Sequence, residues 1–132
     1  MHKGVIKLVL TGLFLSVALT SGHVIAKETP GFATDSVVSL NSLPPQARTT
    51  YQLVLQGGPF PYDKDGSVFG NRERLLPLQT RGFYREYTVK TPGSRDRGAR
   101  RIVCGGLEPR NPKACYYTQD HYASFRMIVD KP

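Results

Sequence analysis

The sequence predicts an α+β fold in which one N-terminal α-helix packs on a twisted antiparallel β-sheet. Two observations carry this prediction. One segment near residue 50 repeats its apolar residues at helical spacing, and several later segments alternate apolar and polar residues. A helix followed by a run of strands covers one face of the sheet, which leaves the other face free to be polar and to carry a site.

The helix is predicted from its breakers and its apolar face. Leu43-Pro44-Pro45 opens it, because proline is tolerated in the first helical turn. Gly57-Gly58 ends it, and the prolines that follow prevent its return. The residues expected to face the sheet are Ala47, Tyr51, Val54 and Leu55.

The strand candidates all follow the helix. They are Ser67 to Phe69, Phe83 to Lys90, Arg100 to Cys104 and Ser124 to Val129. Alternation in the second candidate places Glu86 on the face opposite Tyr87. The turn Thr91-Pro92-Gly93 then makes a hairpin with the third candidate, which brings Arg101 to the sheet face of Glu86.

The first 26 residues predict a secretory signal peptide. Lys3 and Lys7 precede an apolar run from Leu8 to Leu19, and Val24-Ile25-Ala26 supplies a cleavage site. The alternative is a membrane anchor, but this run is far shorter than the roughly 20 residues needed to span a bilayer. The prediction is therefore export, with a signal peptide at 1–26 and a single domain at 27–132.

The charge and the cysteines leave alternatives open. The net charge of +8 favours a polyanionic partner, but a soluble basic protein without one has the same balance. In an oxidising compartment Cys104 and Cys115 are most simply one disulfide. The alternative is a buried free thiol at Cys104 and an unrelated Cys115. The three histidines, two of them in the leader, form no metal-ligand spacing, so neither a metal nor a cofactor is predicted.

Three features match the chemistry of phosphodiester cleavage without a metal. They are Glu86, the arginines between Arg95 and Arg101, and His121, the sole histidine after the predicted leader. Taken singly, each is more simply a strand ion pair, a solvated loop or a surface histidine. Together they supply a proton acceptor, cations for the phosphoryl charge and a proton donor.

A tight loop at 69–73 has the groups that a guanine requires. Its backbone N–H groups suit O6, and the Glu73 carboxylate can accept from N1 and N2. Phe69 or Tyr122 could stack on the base, as aromatic side chains do with single-stranded RNA. Many surface turns have a similar composition, so this loop alone is a weak signal.

These motifs together resemble the small secreted guanyl-specific ribonucleases of bacteria, the barnase group, and within it the ribonuclease Sa type. The resemblance runs from about Ser39 to about Ile128. The stretches that carry it are Leu43-Pro44-Pro45, Gly58-Pro59-Phe60-Pro61-Tyr62, Asp65-Gly66, Phe69-Gly70-Asn71-Arg72-Glu73, Glu86-Tyr87-Thr88-Val89, Thr91-Pro92-Gly93, Arg97-Gly98-Ala99-Arg100-Arg101 and Tyr116-Tyr117-Thr118-Gln119-Asp120-His121-Tyr122.

The resemblance implies cleavage of single-stranded RNA after guanosine, through a 2′,3′-cyclic phosphate to a 3′-phosphate. It assigns Glu86 as general base, His121 as general acid, and Arg97 and Arg101 to the phosphate. The residues it assigns to the guanine are Phe69, Gly70, Asn71, Arg72, Glu73 and Tyr122. It also implies a barstar-like protein inhibitor, and a monomer is the default expectation.

Four points depart from the family or stay open. Gly70 stands where the Sa type has glutamine, and little loss is expected because that contact is mainly through the backbone. Arg85 could point to either face of the sheet. The disulfide that joins the termini in the Sa type has no counterpart here, so the cross-link is expected at Cys104–Cys115 or not at all. A non-catalytic RNA-binding or polyanion-binding module is the alternative function, and a toxin domain would share the chemistry.

Overall fold

The computed structural model describes residue 12 and residues 36–130. Apart from residue 12, the predicted signal peptide and its cleavage site fall outside that part. The elements are β1 (Val37–Ser39), a short 3-10 helix (Leu40–Ser42), α1 (Pro45–Gln56), β2 (Ser67–Val68), β3 (Tyr84–Thr88), β4 (Arg101–Gly105), β5 (Ala114–Thr118) and β6 (Arg126–Val129). Among the described residues, no helix is long and apolar enough to cross a bilayer.

The strands form one six-stranded sheet in the order β1-β6-β5-β4-β3-β2. Four of the neighbouring pairs are antiparallel, as predicted, and the α+β class is confirmed. The sheet is nevertheless mixed, because β1 pairs in parallel with β6, with Val38 opposite Ile128. The segment that forms β1 has no periodicity of its own, so only its long-range partner defines it.

Helix α1 has the predicted ends. Proline lies in its first turn, and Gly57 closes it in the left-handed conformation at φ +80°. Ala47 and Val54 are buried as expected, whereas Leu55 is 42% exposed. Thr50 takes the inward position instead, and its hydroxyl donates to the carbonyl of Thr88 at 3.0 Å. This hydrogen bond satisfies the polar group and allows it to be buried.

Apolar residues cover both faces of the sheet. The helix side contains Ala47, Val54, Tyr87, Val89, Ile102, Cys104, Cys115 and Tyr117. The opposite side contains Leu76, Tyr84, Val103, Tyr116 and Phe125. The alternation predicted for β3 is confirmed, because Tyr87 and Tyr84 belong to different clusters. The second cluster supports the loops that form the site described below.

Arg85 points to the helix side. Its Nη1 donates to the carbonyl of Gly66 at 2.8 Å, and it lines a groove there with Tyr87 and Phe60. The added positive charge before Glu86 therefore lies on the face away from that carboxylate.

Cys104 and Cys115 form the predicted disulfide. The two residues lie directly opposite each other on β4 and β5, with Cα atoms 4.1 Å apart. Both are 4% exposed and belong to the cluster on the helix side. The alternative interpretation, a buried free thiol at Cys104 and an unrelated Cys115, is therefore wrong.

Removal of this cross-link is expected to lower stability and to leave the sheet face opposite the helix intact. The cysteines are separated by 11 residues in sequence, and release of a loop of this size costs about 3 kcal/mol in the chain-entropy description. The measurement is urea unfolding of the Cys104→Ala/Cys115→Ala double variant beside the oxidised protein. Because the double variant also loses buried sulfur, thiol-reduced wild-type protein is the control. An unchanged unfolding midpoint in both samples would contradict the expectation.

Candidate active site

A cleft of about 450 Å³ opens on the sheet face opposite the helix. Its lining contains both predicted proton-transfer groups and every residue predicted to bind guanine. The lining residues are Val68, Phe69, Gly70, Asn71, Arg72, Glu73, Leu75, Glu86, His121, Tyr122, Ala123 and Phe125. The fold thus brings together residues that are up to 57 positions apart in the chain, from Val68 to Phe125.

Glu86 occupies the middle of β3, between Ser67 of β2 and Val103 of β4. Its side chain is 15% exposed, and both carboxylate oxygens have partners. Oε1 accepts from Arg97 Nη2 at 3.1 Å, and Oε2 accepts from the Tyr122 hydroxyl at 2.5 Å. Contacts to both oxygens fix the direction of the carboxylate. The ion pair expected for an ordinary strand glutamate is present, and its partner is one of the arginines predicted to bind phosphate.

Arg97 is held from two directions. Its Nε donates to the hydroxyl of Thr88 at 3.0 Å, and its Nη2 donates to Glu86. Thr88 is 2% exposed and follows Glu86 by two residues on the same face of β3. The Arg97 side chain remains 27% exposed. The guanidinium is therefore fixed in direction and still reachable from the solvent.

Arg101 is 2% exposed, which is unusual for an ionised side chain. Its Nη1 donates to three backbone carbonyls, those of Arg97 at 3.2 Å, Gly98 at 3.0 Å and Arg100 at 2.7 Å. Within residues 36–130 its Nε has no hydrogen-bond partner, and no carboxylate lies within ion-pair distance of it. Burial of an unpaired charge is costly, so this position favours a bound anion.

The loop that carries Arg97, residues 91–100, has a shape that requires glycine at position 98. Gly98 adopts φ +61°, and a Cβ there would lie 2.5 Å from the Thr91 hydroxyl. Asp96 Oδ1 accepts from the Ser94 hydroxyl at 2.7 Å and from the Gly98 N–H at 2.8 Å. The hydrogen bond from Ser94, followed by that from Gly98, holds the pKa of Asp96 below its ordinary value. This loop is therefore built around one ionised carboxylate.

His121 lies in a strained turn that is tied to the arginine loop. His121 and Tyr122 both have left-handed backbones, at φ +53° and +71°, a conformation that ordinary side chains disfavour. The His121 N–H donates to the carbonyl of Ala99 at 3.0 Å, and the Tyr122 N–H donates to Thr118 Oγ1 at 3.1 Å. The His121 side chain is exposed at the rim of the cleft.

Asp120 stabilises this turn through hydrogen bonds to its carboxylate. Its carboxylate accepts from the Ser124 hydroxyl at 2.6 Å and N–H at 2.9 Å, and from the Thr118 hydroxyl at 2.8 Å. The side-chain hydrogen bond from Ser124 is the main reason that the pKa of Asp120 is lowered. In the sequence Asp120 is only part of the stretch that contains His121, whereas in the structure its carboxylate closes the turn.

The loop at 69–73 is closed by the side chain of Asn71. Its Nδ2 donates to the carbonyl of Leu76 at 3.0 Å, and its Oδ1 accepts from the Leu76 N–H at 3.1 Å. This clamp occupies the Asn71 amide. In the described part of the chain, by contrast, the backbone N–H groups of Asn71, Arg72 and Glu73 have no acceptor. Asn71 therefore shapes the loop, and the backbone donors of the loop remain available to a ligand.

Tyr122 connects the two halves of the cleft. Its ring lies 5.0 Å from the ring of Phe69 and 4.9 Å from that of His121, measured between centroids. Its hydroxyl reaches Glu86, a contact that the sequence did not predict. Burial, and then Glu86, raise the pKa of Tyr122 to about 12, so the hydroxyl stays a donor at neutral pH. Only the fold could reveal this contact, since the two residues are 36 positions apart.

Comparison with known proteins agrees with this geometry. A family described as ribonuclease matches residues 27–129. The chain belongs to this ribonuclease family. Among its relatives, guanyl-specific ribonuclease St of Saccharopolyspora erythraea is 50% identical over 102 residues, which cover 77% of this chain and 93% of the relative. Guanyl-specific ribonuclease Sa of Kitasatospora aureofaciens is 53% identical over 91 residues, covering 69% and 91%.

Solved structures of this ribonuclease family have the same fold. Ribonuclease Sa2 with guanosine-2′-cyclophosphate superposes with a TM-score of 0.66 at 44% identity, covering 74% of this chain and 98% of that one. Ribonuclease Sa2 with 3′-GMP gives a TM-score of 0.65 at 42% identity, covering 74% and 99%. The family resemblance and the fold inferred from the sequence are both confirmed.

Proposed function

We propose that this ribonuclease is a secreted, metal-independent endoribonuclease that cleaves single-stranded RNA after guanosine. The observation that carries the proposal is the single cleft in which Glu86 and His121 lie beside a loop with open backbone N–H groups. The names of the relatives St and Sa, both guanyl-specific ribonucleases, support the same specificity.

The mechanism assigns one proton transfer to each group. Glu86 removes the proton of the guanosine 2′-hydroxyl, whose oxygen attacks the adjacent phosphorus. His121 gives a proton to the departing 5′-oxygen, which leaves a 2′,3′-cyclic phosphate. The roles then reverse. His121 takes a proton from water, the water oxygen attacks phosphorus, Glu86 returns its proton to O2′, and a 3′-phosphate results.

The phosphoryl charge is assigned to Arg97 and Arg101. Arg97 is already oriented by Thr88 and Glu86. Arg101 is buried with no carboxylate partner in the described part of the chain, so a bound phosphate would supply the missing anion. Fixed cations of this kind stabilise the charge that develops in the transition state without reorganising. Guanosine-2′-cyclophosphate and 3′-GMP, the ligands named for ribonuclease Sa2, correspond to the two steps.

Guanine recognition is assigned to the loop and the aromatic rings beside it. We assign the backbone N–H groups of Asn71 and Arg72 to O6 and the Glu73 carboxylate to N1 and N2, because all three residues line the cleft. Phe69 and Tyr122 provide the stacking surface. Because the contact at position 70 is through the backbone, Gly70 serves there without a side chain.

The proposal is tested by incubating residues 27–132 with a single-stranded RNA of known sequence in EDTA. The expected products end in guanosine 2′,3′-cyclic phosphate and, later, guanosine 3′-phosphate. An RNA that stays intact in a folded sample, or cleavage that requires added metal, would reject it. Intact but bound RNA would favour the alternative, a non-catalytic binding module, which has no need for Glu86 and His121.

Glu73→Ala is expected to slow cleavage after guanosine more than cleavage after other bases, so that the preference for guanosine falls. The carboxylate is the one acceptor assigned to the guanine donors, and sites built to hydrogen-bond a substrate discriminate strongly against bases that lack the match. The measurement is kcat/KM on GpU and ApU, with an expected loss of about 100-fold confined to GpU. Glu108→Ala, an exposed acidic residue beyond β4, is the matched control. Equal losses on both substrates would remove Glu73 from recognition.

The cellular setting is proposed from the family resemblance. Export with cleavage after Ala26, a barstar-like inhibitor in the producing cell, and a monomeric enzyme all belong to this reading. A toxin delivered to competing cells would use the same site. Inhibitor binding to the cleft that contains Glu86 and His121 would be detected as competition with 3′-GMP.

A further inference from the structure

A second cleft, of about 530 Å³, lies on the other side of the loop at 69–73, which we call the guanine loop. Residues 68–72 belong to the lining of both clefts, so the loop is the wall between them. The second lining is completed by Gln79, Thr80, Arg81, Gly82 and Tyr84. None of these five residues has a role in the reaction proposed above.

The second cleft continues the first along β3. Tyr84 lines the second cleft and Glu86 lines the first, and the two residues occupy the same face of the strand. Residues two apart on a strand are separated by about 7 Å. Thr88, which orients Arg97, follows Glu86 on that face in the opposite direction. The phosphate-binding arginine, the catalytic carboxylate and the second cleft therefore follow one another along one strand.

The second cleft is positively charged. Its lining contains Arg72 and Arg81 and no acidic residue, whereas the first contains Glu73 and Glu86. Within residues 36–130 neither guanidinium has an ion-pair or hydrogen-bond partner. Exposed, unpaired arginines beside the hydroxyl of Thr80 and the amide of Gln79 suit a phosphodiester, because a guanidinium donates two hydrogen bonds to phosphate oxygens and stays charged.

The position of His121 gives the direction of the strand. His121 protonates the leaving 5′-oxygen, so the downstream nucleoside departs on the His121 side of the cleft. That side adjoins Ala99, to whose carbonyl the His121 N–H donates. His121 does not line the second cleft. An RNA strand that enters past the second cleft therefore reaches the guanosine from its 5′ side.

We propose that the second cleft is a subsite for the phosphodiester immediately 5′ of the recognised guanosine, with Arg81 as its main ligand. The upstream nucleoside lies over Gln79 and Thr80. This assignment rests on the proposed function for its direction. It predicts that the enzyme distinguishes an internal guanosine from one at the 5′ end of an RNA.

The kinetic test compares GpU with UpGpU, which have the same scissile bond and differ only on the 5′ side. Wild-type kcat/KM is expected to be about five-fold higher for UpGpU, the worth of one exposed charge contact. Arg81→Ala should remove this preference and leave GpU unchanged. It should also lower the slope of log(kcat/KM) against log[salt] for UpGpU by about 0.7. Arg110→Ala is the matched control, since Arg110 lines a groove on the helix side.

A binding test keeps this inference separate from the proposed function. The same two ligands with 2′-fluoroguanosine lack the nucleophile, and their Kd values report the subsite without cleavage. A five-fold tighter Kd for the longer ligand that Arg81→Ala abolishes would support the subsite, even if no RNA were cleaved. Equal Kd values for the two ligands, or an equal effect of Arg81→Ala on both, would overturn it. A preference for GpUpU over GpU that depends on Arg81 would also overturn it, because the direction would be reversed.

Discussion

Glu86→Gln is expected to lower kcat on GpU by roughly 100-fold or more while the protein stays folded. The amide has the shape of the carboxylate and can still accept a hydrogen bond from Tyr122, but it cannot take a proton from the 2′-hydroxyl. A positioned general base contributes about this factor to a rate. The measurement is single-turnover cleavage of GpU, with thermal unfolding as the check on folding.

His121→Gln is the matched variant for the proposed general acid, and a loss of kcat of the same order is expected. Both variants should also lose hydrolysis of guanosine 2′,3′-cyclic phosphate, because in the proposed mechanism that step needs His121 to activate water and Glu86 to return a proton to O2′. Near-full activity of both variants in folded protein would show that the acid and base are assigned to the wrong residues.

Arg101→Lys is expected to have the second largest effect and to act on stability and activity together. The guanidinium is enclosed, its Nη1 donates to the carbonyls of Arg97, Gly98 and Arg100, and its Nε stays open for an anion; a single ammonium nitrogen cannot occupy both positions. Loss of these hydrogen bonds should lower the free energy of unfolding by about 2 kcal/mol. Loss of the fixed cation at the phosphate should lower kcat/KM by about 100-fold.

The measurements for Arg101→Lys are urea unfolding, kcat/KM on GpU and the Kd of 3′-GMP. Arg95→Lys is the control, because Arg95 lies in the same loop, is exposed and has no described hydrogen bond or ion pair. It should behave as the wild type in all three. A normal Kd for 3′-GMP in folded Arg101→Lys would exclude Arg101 from phosphate binding.

The sequence predicted those elements whose ends and faces depend on neighbouring residues in the chain. Proline and glycine delimit α1, and the alternation of β3 predicted that Glu86 and Tyr87 would face opposite sides. β5 was missed because four of its five residues are buried, so it shows no alternation. β1 was missed because three residues give no period, and its pairing with β6 connects distant parts of the chain.

The site also has a part that the sequence predicted and a part that only the fold shows. Motifs in sequence identified Glu86, His121 and the guanine loop, and the fold placed them in one cleft. The hydrogen bond from Tyr122 to Glu86 and the clamp from Asn71 to Leu76 depend on atomic contacts that residue types do not specify. The second cleft was not predicted for a related reason, since Arg81 belongs to no motif and only the fold places it in one lining with Arg72.

The hydrogen bond from the His121 N–H to Ala99 has a mechanical consequence. Ala99 belongs to the loop that positions Arg97, so the proposed proton donor and the proposed phosphate ligand are connected through the backbone. This connection is expected to hold the spacing between His121 and Arg97 when RNA binds.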